Sequence, residues 1–222
     1  STYRQNSKAS PSLLEKDPQN RLLARGPRFR LSGELIRDHM LQASGKLSGK
    51  MYGPGVYPPQ PLTVLAHAFG NKSWNASKGE DRYRRSIYTF IKRTAPFAGF
   101  MTFDGTSGEN CLAKRDRSNT PLQALTLLND EMYLELARSA GEEVHQSKDD
   151  PIHSLFRRFL TRPPKQSETD ALRAYYEQQI QRLENGEIKP SEITATLKAT
   201  PELAGKVLLA RAIMNLDEAI TK

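Results

Sequence analysis

The chain has 222 residues, 37% hydrophobic and 26% charged, which suits a folded globular domain with a sizeable core and excludes a disordered segment. Its formal charge is +8, but the basic residues are spread along the chain among acids, so nucleic acid is not an expected partner. The single cysteine, Cys111, excludes an internal disulfide, a multi-cysteine zinc site and c-type haem attachment within these residues, and no apolar run approaches the ~20 residues that span a bilayer.

Residues 1–27 are polar and broken by Pro11, Pro18 and Pro27, which reads as an extended lead-in with room for one short turn. From Arg28 the period becomes helical, with Leu31, Leu35, Ile36, Met40 and Ala43 on one side and Gly45 as the stop. Six glycines and Pro54, Pro58, Pro59 and Pro61 then make 45–80 a long irregular segment that holds the only tryptophan, Trp74. Asn71-Lys-Ser73 and Asn75-Ala-Ser77 match the glycosylation pattern, which arises by chance too often to carry weight. Residues 84–93 fit either a strand or a helix ending before Pro96, and their β-branched and aromatic content tilts the reading to a strand. Residues 97–109 read as a glycine-spaced loop.

The clearest helix begins at Thr120-Pro121, an N-cap followed by proline at the first helical position. Its stripe runs through Leu122, Leu125, Leu128, Met132, Leu136 and Ala140 nearly to Val144. Leucines on almost every side of its first two turns predict burial there, with Asn129 on the buried side needing partners. Composition shifts after Gly141. Pro151–Leu160 reads as a short helix stopped by Pro163-Pro164. Ser167 then caps a helix carrying Leu172, Tyr175, Tyr176, Ile180 and Leu183, ended by Asn185-Gly186. Pro190 opens a short helix and Pro201 the last one, running through Leu203, Val207, Leu208, Ile213, Leu216 and Ile220 and expected to pack against the Pro121 helix. The expectation is a mainly α, irregular helical fold with long loops and room for one short strand pair. It forms one domain over 1–222, within which residues 145–222 could make a helical lobe.

Several runs resemble a known family. Tyr83-Arg-Arg-Ser-Ile-Tyr88, Lys92-Arg93-Thr94, Phe103-Asp104, Glu109-Asn-Cys111, Thr120-Pro-Leu-Gln-Ala-Leu125 and Leu128-Asn129 look like planctomycete-specific domain one. That is the C-terminal domain of unknown function of large secreted planctomycete proteins. Ser1-Thr-Tyr-Arg-Gln5, Asp17-Pro18, Asn20-Arg-Leu-Leu23 and Leu216-Asp-Glu218 extend the resemblance over essentially the whole chain. It implies the C-terminal portion of a larger domain, an extracytoplasmic setting (periplasmic or secreted), neighbouring domains of the same polypeptide as partners, and c-type haem only in another domain. It implies no activity.

The densest polar constellation is Arg84, Arg85, Lys92 and Arg93, then Asp104, Glu109 and Cys111, then Lys114, Arg115, Asp116 and Arg117, leading into the Pro121 helix. Arginines beside a helix N-terminus could complete an anion site suited to an anionic polysaccharide. The competing reading is that they pair with Asp104, Glu109 and Asp116 and fasten the loop to the core. Arg84, Arg85, Arg93, Asp104, Glu109, Arg115 and Arg117 are the candidate ligand residues, and Thr120, Pro121 and Asn129 the structural ones. No metal ligand set is recognisable. Cys111 is expected to be a small buried residue, since none of His39, His67, His145 and His153 sits in a nucleophile motif. Asp104 and Glu109 as a glycosidase pair is the enzymatic alternative. An accessory or interaction module is the leading reading, an enzyme acting on complex polysaccharide the other.

Overall fold

Most helix starts in this chain are set by a capping oxygen, a proline in the first turn, or both. A computed structural model describes residues 5–65, 73–109, 111–196 and 199–221. His67, Asn71, Asn110 and the opening Ser1-Thr-Tyr-Arg run lie outside the described residues.

Ten helices are described: α1 (Pro11–Lys16), α2 (Gly33–Ala43), α3 (Ala98–Thr102), α4 (Pro121–Asn129), α5 (Glu131–Gln146), α6 (Pro151–Leu160), α7 (Gln166–Glu184), α8 (Pro190–Thr194), α9 (Pro201–Met214) and α10 (Asp217–Ile220). Side-chain oxygens of Ser10, Ser32, Asp130, Asp150 and Thr200 accept from first-turn amides of α1, α2, α5, α6 and α9, which satisfies donors that the helix itself leaves open. The fold is mainly α.

Several boundaries differ from the sequence reading. The lead-in contains the six-residue helix α1, which buries none of its residues. The helix expected from Arg28 begins at Gly33 because Ser32 caps it, and Leu35 on the expected stripe stays 54% exposed. Residues 97–109 include α3. The expected strand at 84–93 is instead a 3-10 turn at Ser86–Tyr88 flanked by single parallel bridges, Ser48 to Arg84 and Val56 to Thr89. The seventh helix is capped two residues earlier than Ser167, at Lys165, whose amide donates to the Glu168 carboxylate at 2.7 Å. The last apolar stretch breaks at Asn215, so Ile220 belongs to the separate turn α10.

The largest difference concerns the Pro121 helix. Asp130 takes extended backbone angles and its carboxylate accepts from the Met132 amide at 2.9 Å, so one helix ends and another starts there. The turn leaves Leu127 as the one α4 residue in the main core. Gln123 and Leu127 are its buried residues, while Leu122 and Leu125 are 61% and 53% exposed. Asn129 is likewise exposed, and its side-chain oxygen accepts from Arg211 at 3.1 Å.

The main core joins Ile36, Met40 and Leu41 of α2, Leu136, Ala137 and Ala140 of α5, Leu155, Phe156 and Phe159 of α6, and Leu209, Ala210 and Ile213 of α9. Helix α9 is buried on most sides, which explains an apolar run wider than one stripe. It packs on α5 and α7. A smaller cluster joins two parts of the long irregular segment to Phe97: Trp74 stacks on Phe97 at 6.1 Å, meets Tyr57 edge-on and donates its indole N–H to the Pro58 carbonyl at 2.7 Å.

Arg162 ties α7 to α10 by gripping Glu168 and Glu218. Its hydrogen bonds pull the Glu168 carboxyl from 4.5 down to about 2. A depressed acid stabilises the fold when the pH lies above its unfolded value, and that contribution disappears as pH falls from about 4.5 to about 2. The pair is partly exposed, so screening leaves about 1 kcal/mol. Glu168→Gln should therefore lower the melting temperature at pH 7 and converge on the parent near pH 2 in a pH series of thermal melts.

Candidate functional site

The segment that precedes α4 is closed by a knot of polar side chains. Asp104 sits just beyond α3 with a left-handed φ of 59°, a conformation that Asp tolerates better than most residues. At Gly105 an added Cβ would lie 2.7 Å from the Phe100 carbonyl oxygen, so only glycine fits this tight turn. One Asp104 oxygen accepts from the Ser118 amide at 2.8 Å and from Arg30, the other from the Ser118 hydroxyl at 2.7 Å. Gln123 extends the knot. Its amide nitrogen donates to the Thr102 carbonyl at 2.9 Å and its oxygen accepts from Arg30 and, at 3.1 Å, from the Thr120 amide. Burial pushes the Asp104 carboxyl up, but the Ser118 and Arg30 hydrogen bonds outweigh it and hold the carboxyl below its usual range.

Residues 111–117 fold back over α2, where Arg115 donates to both oxygens of Glu34 at 2.8 Å. Between them lies a hollow of about 280 Å³ lined by Phe29, Arg30, Ser32, Leu35, Phe103, Asp104 and residues 114–117. A second hollow of about 660 Å³ shares Phe29, Arg30 and Arg117 with it and runs on to Arg28, Ser118, Asn119, Thr221 and Asp217, the last paired with Arg28. Arg117 lies on the boundary, its guanidinium 4.7 Å from the centre of the Phe29 ring. Among the described residues, Arg117 and Lys114 have no carboxylate partner.

The candidate ligand residues thus divide. Asp104, Arg115 and Arg117 come together at this groove. Arg84 and its neighbours do not line either hollow. Arg84 is fully buried, donates to the carbonyls of Pro54 and Tyr52, and places its guanidinium 3.8 Å from the Tyr88 ring centre. It is a structural clamp. Arg85, Arg93 and Glu109 are exposed. Cys111, expected in a buried turn, is exposed as well, because its loop is fastened through Asp104, Ser118 and Arg115 on either side and gives the thiol no core to enter. The His39 ring is engaged with the Phe159 carbonyl at 2.8 Å, and His145 faces Lys206 and Glu202.

Sequence reasoning missed Phe29, Arg30 and Gln123. Gln123 was findable, because Thr-x-x-Gln after a loop is a capping-box pattern. Arg30 carries no such signal, since it meets Asp104 across 74 residues of chain.

Residues 1–176 match the model of a family described as PSD1, a protein of unknown function (DUF1553). No curated protein and no solved structure matches the chain.

Proposed function

Because the chain belongs to the PSD1 family, whose description assigns no activity, we propose from its own groove that it is a non-catalytic binding module for an anionic polysaccharide. It serves as an accessory part of an exported, haem-linked multidomain protein and packs on neighbouring domains of the same polypeptide. The likeness to secreted planctomycete proteins supports that setting, with c-type haem held elsewhere in the polypeptide.

One observation carries the ligand class. Arg117 lies over the Phe29 ring where two hollows share their lining, with Lys114 beside it and no carboxylate committed to either cation among the described residues. A guanidinium on an aromatic face offers a charge-assisted donor set for a sulfate or carboxylate, and the ring edge offers apolar area to a sugar. The enzymatic reading draws less support. Asp104 accepts from Arg30 and twice from Ser118 and is held ionised, so it has no proton to donate at neutral pH. Glu109 does not line the groove.

Affinity electrophoresis in gels containing alginate or chondroitin sulfate tests the reading, with dextran as the neutral control. The parent should be retarded by the anionic polymers alone. Lys114→Ala/Arg117→Ala should lose about tenfold in affinity with an unchanged melting temperature, as expected for two charge-assisted contacts. Equal retardation of parent and double variant rules the groove out. Retention on DNA that falls steeply with salt would point to nucleic acid instead.

A further inference from the structure

A second face, independent of the groove, is built by residues 48–56 and 84–93. The two segments run parallel, joined at Ser48 to Arg84 and at Val56 to Thr89. The Val56 amide donates to the Tyr88 carbonyl at 2.7 Å, and the Phe90 amide to the Val56 carbonyl at 2.8 Å. Buried Arg84 holds the carbonyls of Tyr52 and Pro54 from beneath, and the Tyr52 amide donates to the Tyr88 hydroxyl at 2.9 Å. These irregular segments are therefore fastened at several points, and their outward residues are held in place.

What they hold outward is apolar. Tyr52 is 81% exposed, Ile87 82% and Ile91 75%, with Phe90 at 41%. Four large apolar side chains left in solvent on two segments bridged to each other make a candidate interaction surface. Arg85 and Arg93 bracket the patch, both exposed and without a carboxylate partner among the described residues. Phe90 also enters a hollow of about 410 Å³ lined by Tyr57, Ser73, Asn75 and Lys92. The cations select the occupant. A second copy of this chain would set arginine against arginine, a like-charge contact that costs affinity. The hollow beside the patch fits a narrow chain better than a flat bilayer.

We infer that this face docks an extended segment of a partner protein in which acidic and apolar side chains alternate. The apolar side chains would cover Tyr52, Ile87 and Ile91 and enter the hollow beside Phe90, while the carboxylates meet Arg85 and Arg93. The inference does not rest on the polysaccharide groove, which uses none of these residues.

The test is fluorescence anisotropy with the full chain and a labelled peptide of about ten residues alternating Asp or Glu with Leu or Phe. Saturable binding is expected, weakened about tenfold or more by Arg85→Glu/Arg93→Glu and separately by Ile87→Ser/Ile91→Ser, each keeping the parent melting temperature. A peptide with lysine in place of every acid should not bind. Equal affinity of parent and both variants, or no binding of the acidic peptide to the parent, overturns the proposal. So does binding of phosphatidylglycerol vesicles that the peptide cannot displace, which would make the face a membrane contact. A parent dimer that Ile87→Ser/Ile91→Ser dissolves in sedimentation would make it a self-interface and would equally overturn the proposal.

Discussion

Replacing Arg37 by methionine should remove about 3–5 kcal/mol from the unfolding free energy, the scale of breaking a buried charged network on one side only. Arg37 lies in the middle of α2 with 1% exposure, yet its guanidinium is used on every side. It donates to the Arg84 carbonyl at 2.7 Å, the Arg82 carbonyl at 3.0 Å and the Ser86 hydroxyl at 3.3 Å, with Asp38 at 3.8 Å. Burial pulls its pKa down to about 10, only partly countered by Asp38 and Tyr133. Methionine keeps most of the volume, so the loss reports the two carbonyls left buried without donors. Arg37→Lys should recover only part of the stability, because a single ammonium cannot span carbonyls that the fork reaches together. Urea titrations of the three proteins would check this. A loss below about 1 kcal/mol for the methionine variant would mean the 82–86 turn finds other donors.

The second large effect is expected at Gly141. It lies on α5 where α9 crosses, and a Cβ there would sit 2.7 Å from a Val207 methyl and 2.9 Å from the Val207 backbone. Backbone cannot rotate aside as a side chain can, so even one methyl must push the helices apart. Overpacking of this kind costs about 1–3 kcal/mol, of which Gly141→Ala recovers up to ~1 through better helix propensity. Gly141→Leu has no such balance and should lower stability by about 3 kcal/mol or more. Thermal melts would separate the two. If Gly141→Ala proves more stable than the parent, the α5–α9 crossing is looser than its geometry implies.

Both effects fall on residues whose importance does not show in hydrophobic periodicity. Arg37 occupies the apolar side of an amphipathic helix and reads as an interruption. Gly141 reads as a place where composition shifts. Each is decided by what another part of the chain brings against it, the 82–86 turn in one case and Val207 in the other.

The helix pattern itself was largely a local matter. Pro121, Pro151, Pro190 and Pro201 each open a helix at the residue expected, because proline presets the first-turn φ and lacks an N–H that would go unsatisfied there. Membership in the family was equally legible from short runs such as 83–88 and 120–125, which fall inside the matched residues 1–176, whereas the Leu216-Asp-Glu218 run read as part of the same resemblance lies outside them. Local signals failed where two of them competed. The leucines of 122–128 and the stripe from Met132 share one period, and only the capping of α5 by Asp130 shows that the helix turns and leaves Leu122 and Leu125 in solvent. The candidate site was half legible for a similar reason. Residue type singled out Asp104, Arg115 and Arg117, but Arg30, Glu34 and Phe29 join them only once α2 and residues 111–117 are folded together. Periodicity and caps act over four or five residues and can be read along the chain. Ion pairs, stacked rings and close helix crossings depend on which distant segments share a surface, and packing alone settled that here.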